Sequence, residues 1–137
     1  MESRYLFKAK RLDNGEWVEG FYFCMTHPDG RHTHHFIIPL GADLSLGTPV
    51  EKIQVEVDPA TICQCTEMPD KNKKLVFEHD IVWDSDERAF YEIIWNQEDM
   101  CWNVEDADGH KSEFEECYGS EIEVNGNSFD NSELLEV

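Results

Sequence analysis

Length, composition and charge exclude several classes of protein for this chain of 137 residues. Apolar residues make up 40% of it and charged residues 30%, which is typical of a globular chain, and no apolar run approaches the roughly 18 residues of a membrane span. A formal net charge of −19 repels phosphate groups, so we expect no direct binding to nucleic acid and no membrane contact.

The first residues and the cysteines both indicate the cytoplasm. Residues 1–10 alternate polar with apolar side chains and lack the continuous apolar segment of a secretory signal. The cysteines are odd in number and follow no disulfide framework: Cys24, Cys63, Cys65, Cys101 and Cys117. We therefore expect a cytoplasmic protein with free thiols.

Apolar residues at every second position predict short strands in the first half of the chain. The predicted strands are residues 5–9, 17–25, 33–40 and 53–57, with turns at 13–15 and 28–30 and a loop over 41–49. The first two strands are expected to form a β-hairpin. Pro59 ends the fourth, because proline has no N–H to donate to a sheet.

The second half continues in the same manner. Its predicted strands are residues 61–66, 75–77, 81–83, 90–95, 101–104 and 122–124, with turns at 70–73 and 106–109. Strands this short and this close together favour a small barrel. Helical periodicity is absent, except that residues 132–135 are expected to form one turn with Ser132 as N-cap. The predicted fold class is mainly β, with small antiparallel sheets and little helix.

The negative charge is concentrated in residues 78–137. They contain 19 acidic and 2 basic side chains, whereas the net charge of residues 1–77 is −2. Such a surface either keeps the protein soluble or attracts a basic partner, and the sequence leaves both interpretations open.

Histidines form the first candidate site. His32, His34 and His35 follow one another closely, with His27 nearby. On a strand His32 and His34 would share a face and could offer zinc two ligands, but structural zinc takes four, and no further ligand stands at a recognised spacing. We expect surface histidines and no metal.

Other candidates for chemistry are equally nonspecific. Cys63 and Cys65 are expected to point their thiols into one buried sheet face. The carboxylate pairs Asp84/Asp86 and Glu115/Glu116 could serve acid–base catalysis or bind a hard cation, but a chain this acidic brings carboxylates together by chance. A phosphate-binding or dinucleotide-binding glycine motif is absent. We therefore predict no enzyme and no catalytic, cofactor-binding or metal-binding residue.

Aromatic residues in the acidic half have two interpretations. Trp83, Trp95 and Trp102, with Phe90 and Tyr91, either fill a core or line a peptide groove, and the core is favoured. If a tryptophan is exposed beside the carboxylates, that surface would suit a basic peptide with an apolar tip.

Three separated motifs resemble the YopX family of phage and prophage proteins. The first consists of FKA at residues 7–9 and GEWVEGF at 15–21. The second consists of VDPATI at 57–62, DKN at 70–72 and EHDIV at 78–82. The third is EVNGNSFDNSELL at 123–135. Cys63, Glu67 and His79 stand where that family usually has glycine, Cys65 replaces its tyrosine and Ser132 its proline. If those glycines adopt a positive φ in the family, either Glu67 and His79 must tolerate a strained backbone or the turns must differ in this chain.

The resemblance implies a β-rich fold with an SH3-like barrel toward the C-terminus, and it assigns no catalytic residue. It implies a single domain over residues 1–137, with a hairpin region at about 1–60 and a barrel region at about 61–137. We expect a non-enzymatic phage or prophage accessory protein in the bacterial cytoplasm, acting through contact with a protein partner, either basic or a second copy in a homo-oligomer. The alternatives are an acidic DNA mimic that inhibits a host DNA-binding or defence protein and, least favoured, a metal-dependent hydrolase.

The cysteine count gives a first testable prediction. All five thiols should react with a thiol reagent in denaturant without prior reduction, because a reducing compartment keeps cysteines free. Spectroscopic titration of freshly purified protein measures this, and fewer than five reactive thiols would contradict it.

Overall fold

The computed structural model describes residues 5–42, 45, 47–114 and 121–136. Two compact units divide the chain, Met1–Gln64 and Cys65–Val137. Strands account for 51% of the structure and helices for 10%, and one of the two sheets is a half-barrel. The predicted mainly-β, barrel-like fold with little helix is confirmed, while the single domain over residues 1–137 stays a prediction.

An antiparallel sheet forms the N-terminal unit, in the order β4-β3-β2-β1-β5. Its strands are β1 (Leu6–Lys10), β2 (Trp17–Thr26), β3 (Thr33–Pro39), β4 (Val55–Glu56) and the first residues of β5 (Cys63–Pro69). Gly15 closes the predicted hairpin between β1 and β2 at a φ of 73°. Ala9, Ile37 and Val57 form the core of this unit.

Short 3-10 helices replace parts of two predicted strands. The helix Val50–Lys52 ends at Ile53, whose φ of −114° and ψ of −17° are not extended, so the strand predicted over 53–57 shrinks to β4. A second helix, Pro59–Thr61, delays β5 to Cys63. Asp58 caps this helix by accepting a hydrogen bond from the Ala60 N–H at 3.0 Å.

The C-terminal unit contains the rest of β5 and a five-stranded antiparallel sheet. In it, β5 pairs with β6 (Leu75–Phe77). The sheet has the order β10-β9-β8-β7-β11 and consists of β7 (Asp80–Asp84), β8 (Ala89–Asn96), β9 (Cys101–Glu105), β10 (Lys111–Glu113) and β11 (Ile122–Asn127). A 3-10 helix, Ser132–Glu136, comes after it.

Two features of this unit differ from the sequence prediction. The strand β10 was missed, because its three residues are all exposed and polar and form a strand only by pairing with β9. The prediction of Ser132 as an N-cap was wrong. Ser132 is the first residue of the 3-10 helix, so the position before the helix belongs to Asn131, whose carbonyl accepts a hydrogen bond from the Leu134 N–H.

Apolar residues from β6, β7, β8, β9 and β11 meet with Phe114 in one core. The buried members are Val76, Val82, Ile93, Val104, Phe114 and Ile122. Val82 lies opposite Val124 on β11 and Ile93 lies opposite Val104 on β9, so two cross-strand pairs contribute to this core.

Buried aspartates hold the turns of the C-terminal unit. Asp70 is 5% exposed, and its carboxylate accepts hydrogen bonds from the N–H groups of Asn72 at 2.8 Å, Lys74 at 2.9 Å and Val124 at 3.0 Å. Asp80 accepts from the Phe77 N–H at 2.8 Å. These carboxylates satisfy backbone donors that the turns would otherwise leave unpaired.

Two of the residues that replace the family's glycines adopt the left-handed conformation. Glu67 has a φ of 69° and His79 a φ of 67°. Glu67 lies in an irregular stretch of β5, where the register with β6 shifts between Cys65 and Pro69. An L-residue costs about 1 kcal/mol in this conformation, so of the two possibilities that the sequence left, strained backbone is the one found at both positions. Cys63 lies in the strand and has no positive φ.

Glu67→Gly should raise the free energy of unfolding by about 0.5 to 1 kcal/mol, because glycine removes the strain of the positive φ. The Glu67 side chain is exposed, and its backbone N–H, which donates to Cys65 Sγ, is retained. Urea titration measures the change. The control is Gln64→Gly at an exposed extended position of the same strand, which should lower stability, and equal effects of both substitutions would contradict the prediction.

His79 makes the stability depend on pH. Its Nδ1 lies 2.8 Å from Glu92 Oε2, and this hydrogen bond, with smaller contributions from Glu78 and Asp80, raises the pKa of His79 against the opposing effect of partial burial. The stabilisation is complete below the unfolded pKa of about 6.5 and is lost as pH rises through the higher folded pKa.

Glu92→Gln should therefore cost more stability at pH 5.5 than at pH 8.5, as measured by urea unfolding at the two pH values. Glu98→Gln, at an exposed position in the next turn, is the matched control and should show no such difference. A cost for Glu92→Gln that is equal at both pH values would contradict the role of the ion pair.

Candidate functional site: a groove in the C-terminal unit

A groove of about 340 Å³ opens at one end of the five-stranded sheet. Its floor is formed by Trp83 and Phe90, one wall by Leu134 and Leu135, and the other wall by residues 106–108. Arg88 and Ala89 lie at the end of the groove. We call this feature the C-terminal groove. Its volume is in the lower range of pockets that bind small ligands or one or two side chains.

The floor is an aromatic pair on neighbouring strands. Trp83 on β7 lies opposite Phe90 on β8, and the ring centroids are 4.8 Å apart with an interplanar angle of 61°. Both side chains are only partly buried. The pair stabilises the hairpin and at the same time presents ring surface to the groove.

Two carboxylates lie on the same sheet face as the aromatic floor. Glu92 lies two residues after Phe90 on β8, so both side chains point to one side, and Glu105 on β9 is directly opposite Glu92. Like charges in this position repel. His79 offsets the charge of Glu92, and the face as a whole favours positive charge.

The acidic wall is a tight turn between β9 and β10. Asp106 Oδ1 accepts hydrogen bonds from the N–H groups of Asp108 and His110, each at 2.9 Å, and Gly109 completes the turn at a φ of 86°. The His110 N–H and, to a lesser degree, the His110 ring lower the pKa of Asp106 below its ordinary value. The Asp106 carboxylate is thus ionised and engaged in hydrogen bonds within the turn, whereas Asp108 is exposed.

The apolar wall is fixed by two asparagines. Asn127 Oδ1 accepts from the N–H groups of Phe129 and Asp130, and Asn131 Oδ1 accepts from the Asn127 N–H at 3.2 Å. The Asn131 side chain fits over Gly126, where a Cβ atom would collide with it. The helix that carries Leu134 and Leu135 starts directly after Asn131.

The aromatic residues divide between core and groove. Tyr91 and Trp102 pack against the core, as favoured from sequence. Trp83 and Phe90 line the groove instead. Trp95 is 37% exposed and contacts Trp102 edge to face at 5.1 Å.

The candidate histidines His27, His32 and His34 lie on the surface of the N-terminal unit. His32 precedes β3 instead of lying on it, which corrects the expectation that a strand holds His32 and His34 on one face. His32 Nδ1 lies 3.1 Å from Asp29 Oδ2, and His34 Nδ1 lies 2.8 Å from Glu56 Oε2. The His27 ring is 6.0 Å from His32 and 5.2 Å from His34.

His35 is separate from these three. Its Nδ1 lies 2.6 Å from the Tyr22 hydroxyl, and the two rings stack at 5.9 Å. The predicted absence of a histidine metal site stays a prediction.

The remaining candidates are accounted for by structural contacts or lie outside the described residues. Cys63 and Cys65 are both buried, as predicted. Asp84 is 1% exposed and accepts from the N–H groups of Asp86 and Glu87 in the β7–β8 turn, so it holds that turn instead of facing a substrate. The pair Glu115/Glu116 and Cys117 lie outside the described residues. The four described cysteines are free thiols.

One group with metal-ligand chemistry was missed from sequence. Among the described residues, ligand atoms of Asp106, Asp108 and His110 lie within 4.8 Å of one another. The signal available was the D-x-D-x-H spacing, which was interpreted only as a turn. Hydrogen bonds within the turn account for the arrangement, since Asp106 Oδ2 lies 3.1 Å from His110 Nδ1. Leu134 and Leu135 were also missed as groove residues, because nothing local relates them to Trp83.

None of the helices in the described part of the chain is long and apolar enough to cross a membrane.

Comparisons with known proteins identify the family of the chain. A search of curated proteins finds no match. The family model described as YopX protein matches residues 6–136, which include nearly all of both units. The chain therefore belongs to the YopX family.

Proposed function

We propose that this YopX-family chain is a non-enzymatic accessory protein that acts through protein–protein contact, and that its C-terminal unit receives a basic partner. The observation that carries the proposal is the excess of exposed carboxylates in residues 78–136. The exposed acidic residues described there are Asp86, Glu87, Glu98, Asp99, Asp108, Glu113, Asp130, Glu133 and Glu136, whereas the exposed basic residues are Arg88 and Lys111.

The positions of these carboxylates support a binding surface. Asp86 and Asp108 lie in turns at one end of the five-stranded sheet, and Glu98 lies in the turn at the other end. An excess of negative charge at both ends of this sheet steers an oppositely charged protein toward it and raises the rate of encounter. Solubility alone requires no such concentration of charge in residues 78–136.

The side chains with catalytic potential support a non-enzymatic role. Asp84 is committed to backbone donors in a turn. Partial burial, with the negative charges of Glu113 and Asp99, raises the pKa of the Cys101 thiol, which keeps it protonated at neutral pH and a weak nucleophile. Cys63 is buried and donates to the Thr61 carbonyl.

DNA mimicry remains the second candidate, because it uses the same carboxylates. If the partner's basic surface is a DNA-binding cleft, duplex DNA should compete with this protein for it. A partner that binds DNA and this protein together would instead support assembly or regulation.

Charge reversal tests the proposal. A partner is first isolated by affinity capture, and its association rate is then measured by stopped flow over a salt series. The variant Glu98→Lys with Glu113→Lys should slow association by about tenfold near 0.01 M salt and much less near 0.1 M salt, because the Debye length shortens from about 30 Å to about 10 Å.

The matched control places the same two reversals in the N-terminal unit, as Glu16→Lys with Glu51→Lys, and should slow association much less. Both pairs are exposed, so neither should change the free energy of unfolding by more than about 0.5 kcal/mol. Equal rates for the wild type and the Glu98/Glu113 variant at every salt concentration would refute the proposal.

A further inference from the structure

We infer that the C-terminal groove binds a segment of a protein partner in which an apolar side chain stands next to lysine or arginine. The apolar side chain fits between the aromatic floor and the leucine wall, and the cation meets Asp108 at the acidic wall. This inference rests on the proposed function and specifies where in the C-terminal unit the partner is recognised.

The floor and one wall set the apolar part of the specificity. Trp83, Phe90, Leu134 and Leu135 are each partly buried, so each leaves apolar surface in the groove. Filling it removes that surface from water, which contributes about 25 cal/mol for each Å² buried. A groove of about 340 Å³ accommodates one large side chain and part of the neighbouring backbone.

The opposite wall sets the charge of the occupant. Asp108 is exposed and projects from a turn that Asp106 holds rigid through two backbone hydrogen bonds. Glu105 adds negative charge on the same face as the floor, whereas His79 offsets the charge of Glu92. An anionic occupant would be repelled by these groups, whereas a guanidinium can bind Asp108 and stack on the Trp83 or Phe90 ring.

Arg88 limits the choice further. It also lines the groove, and its guanidinium can donate hydrogen bonds but accept none. A peptide segment satisfies these donors with backbone carbonyls, whereas a free aliphatic amine has no acceptor to offer. The combination of an apolar floor and wall, a carboxylate and a guanidinium donor therefore fits a peptide better than a small organic cation.

The probe is the peptide acetyl-Gly-Leu-Arg-Gly-amide, titrated into the full ¹⁵N-labelled chain and followed by NMR. We expect saturable shifts of the Trp83 indole N–H and of the amides of Ala107, Asp108, Leu134 and Leu135. The matched peptides acetyl-Gly-Leu-Glu-Gly-amide and acetyl-Gly-Ser-Arg-Gly-amide should each bind at least about fivefold more weakly. Shifts scattered over the acidic surface without saturation would overturn the inference.

Two variants separate the groove from the general charge. Ala107→Phe fills the groove from an exposed turn without removing charge, and Asp108→Lys reverses the charge at its wall. Each should weaken binding of the leucine–arginine peptide by at least about tenfold. Glu16→Lys, at an exposed position of the N-terminal unit, is the control and should change affinity less than twofold. An equal loss in all three variants would overturn the groove as the binding site.

The same variants distinguish this inference from the proposed function. If Ala107→Phe associates with the captured partner as the wild type does, while reversal of Glu98 and Glu113 slows association, the groove inference fails and the proposed function stands. If Ala107→Phe abolishes association and the reversal changes nothing, the groove is supported and the electrostatic part of the proposed function fails.

Discussion

The C-terminal unit depends on one buried carboxylate. The Asp70 carboxylate accepts hydrogen bonds from three backbone N–H groups, two in its own turn and one of Val124 on β11. The turn between β5 and β6 is thereby attached to a strand far along the chain, and the position of β11 determines where the last 3-10 helix begins. An apolar residue at 70 would leave these donors unsatisfied inside the protein, which is costly.

Acidic residues therefore have two different roles in this chain. Asp70, Asp80 and Asp84 point inward and accept hydrogen bonds from the backbone, so their charge is used to build turns. Exposed carboxylates such as Glu98 are the ones available to the proposed partner. The net charge of −19 thus overstates the charge that the surface presents, because part of it is committed to the fold.

Alternation and turn chemistry allowed most strands to be predicted, and the failures have local physical causes. The strand β10 carries no apolar residue and forms only because β9 offers it an edge. Ile53 alternates with Val55 and Val57 as a strand residue would, but it is the C-cap of a 3-10 helix. For Glu67 and His79 the sequence left two possibilities, strained backbone or different turns, and the positive φ angles show the first.

The groove was less predictable than the fold, because it combines separated segments. Trp83 and Phe90 could be recognised as a possible groove, but their relation to Leu134 depends on the path of the chain after β11. That path depends on Gly126, over which the Asn131 side chain is seated. The Asn131 carbonyl in turn accepts a hydrogen bond from the N–H of Leu134. Evolution can therefore reshape the groove from a position that does not line it: a side chain gained at 126 would displace the leucine wall, so relatives with identical groove residues could differ in the shape of the groove.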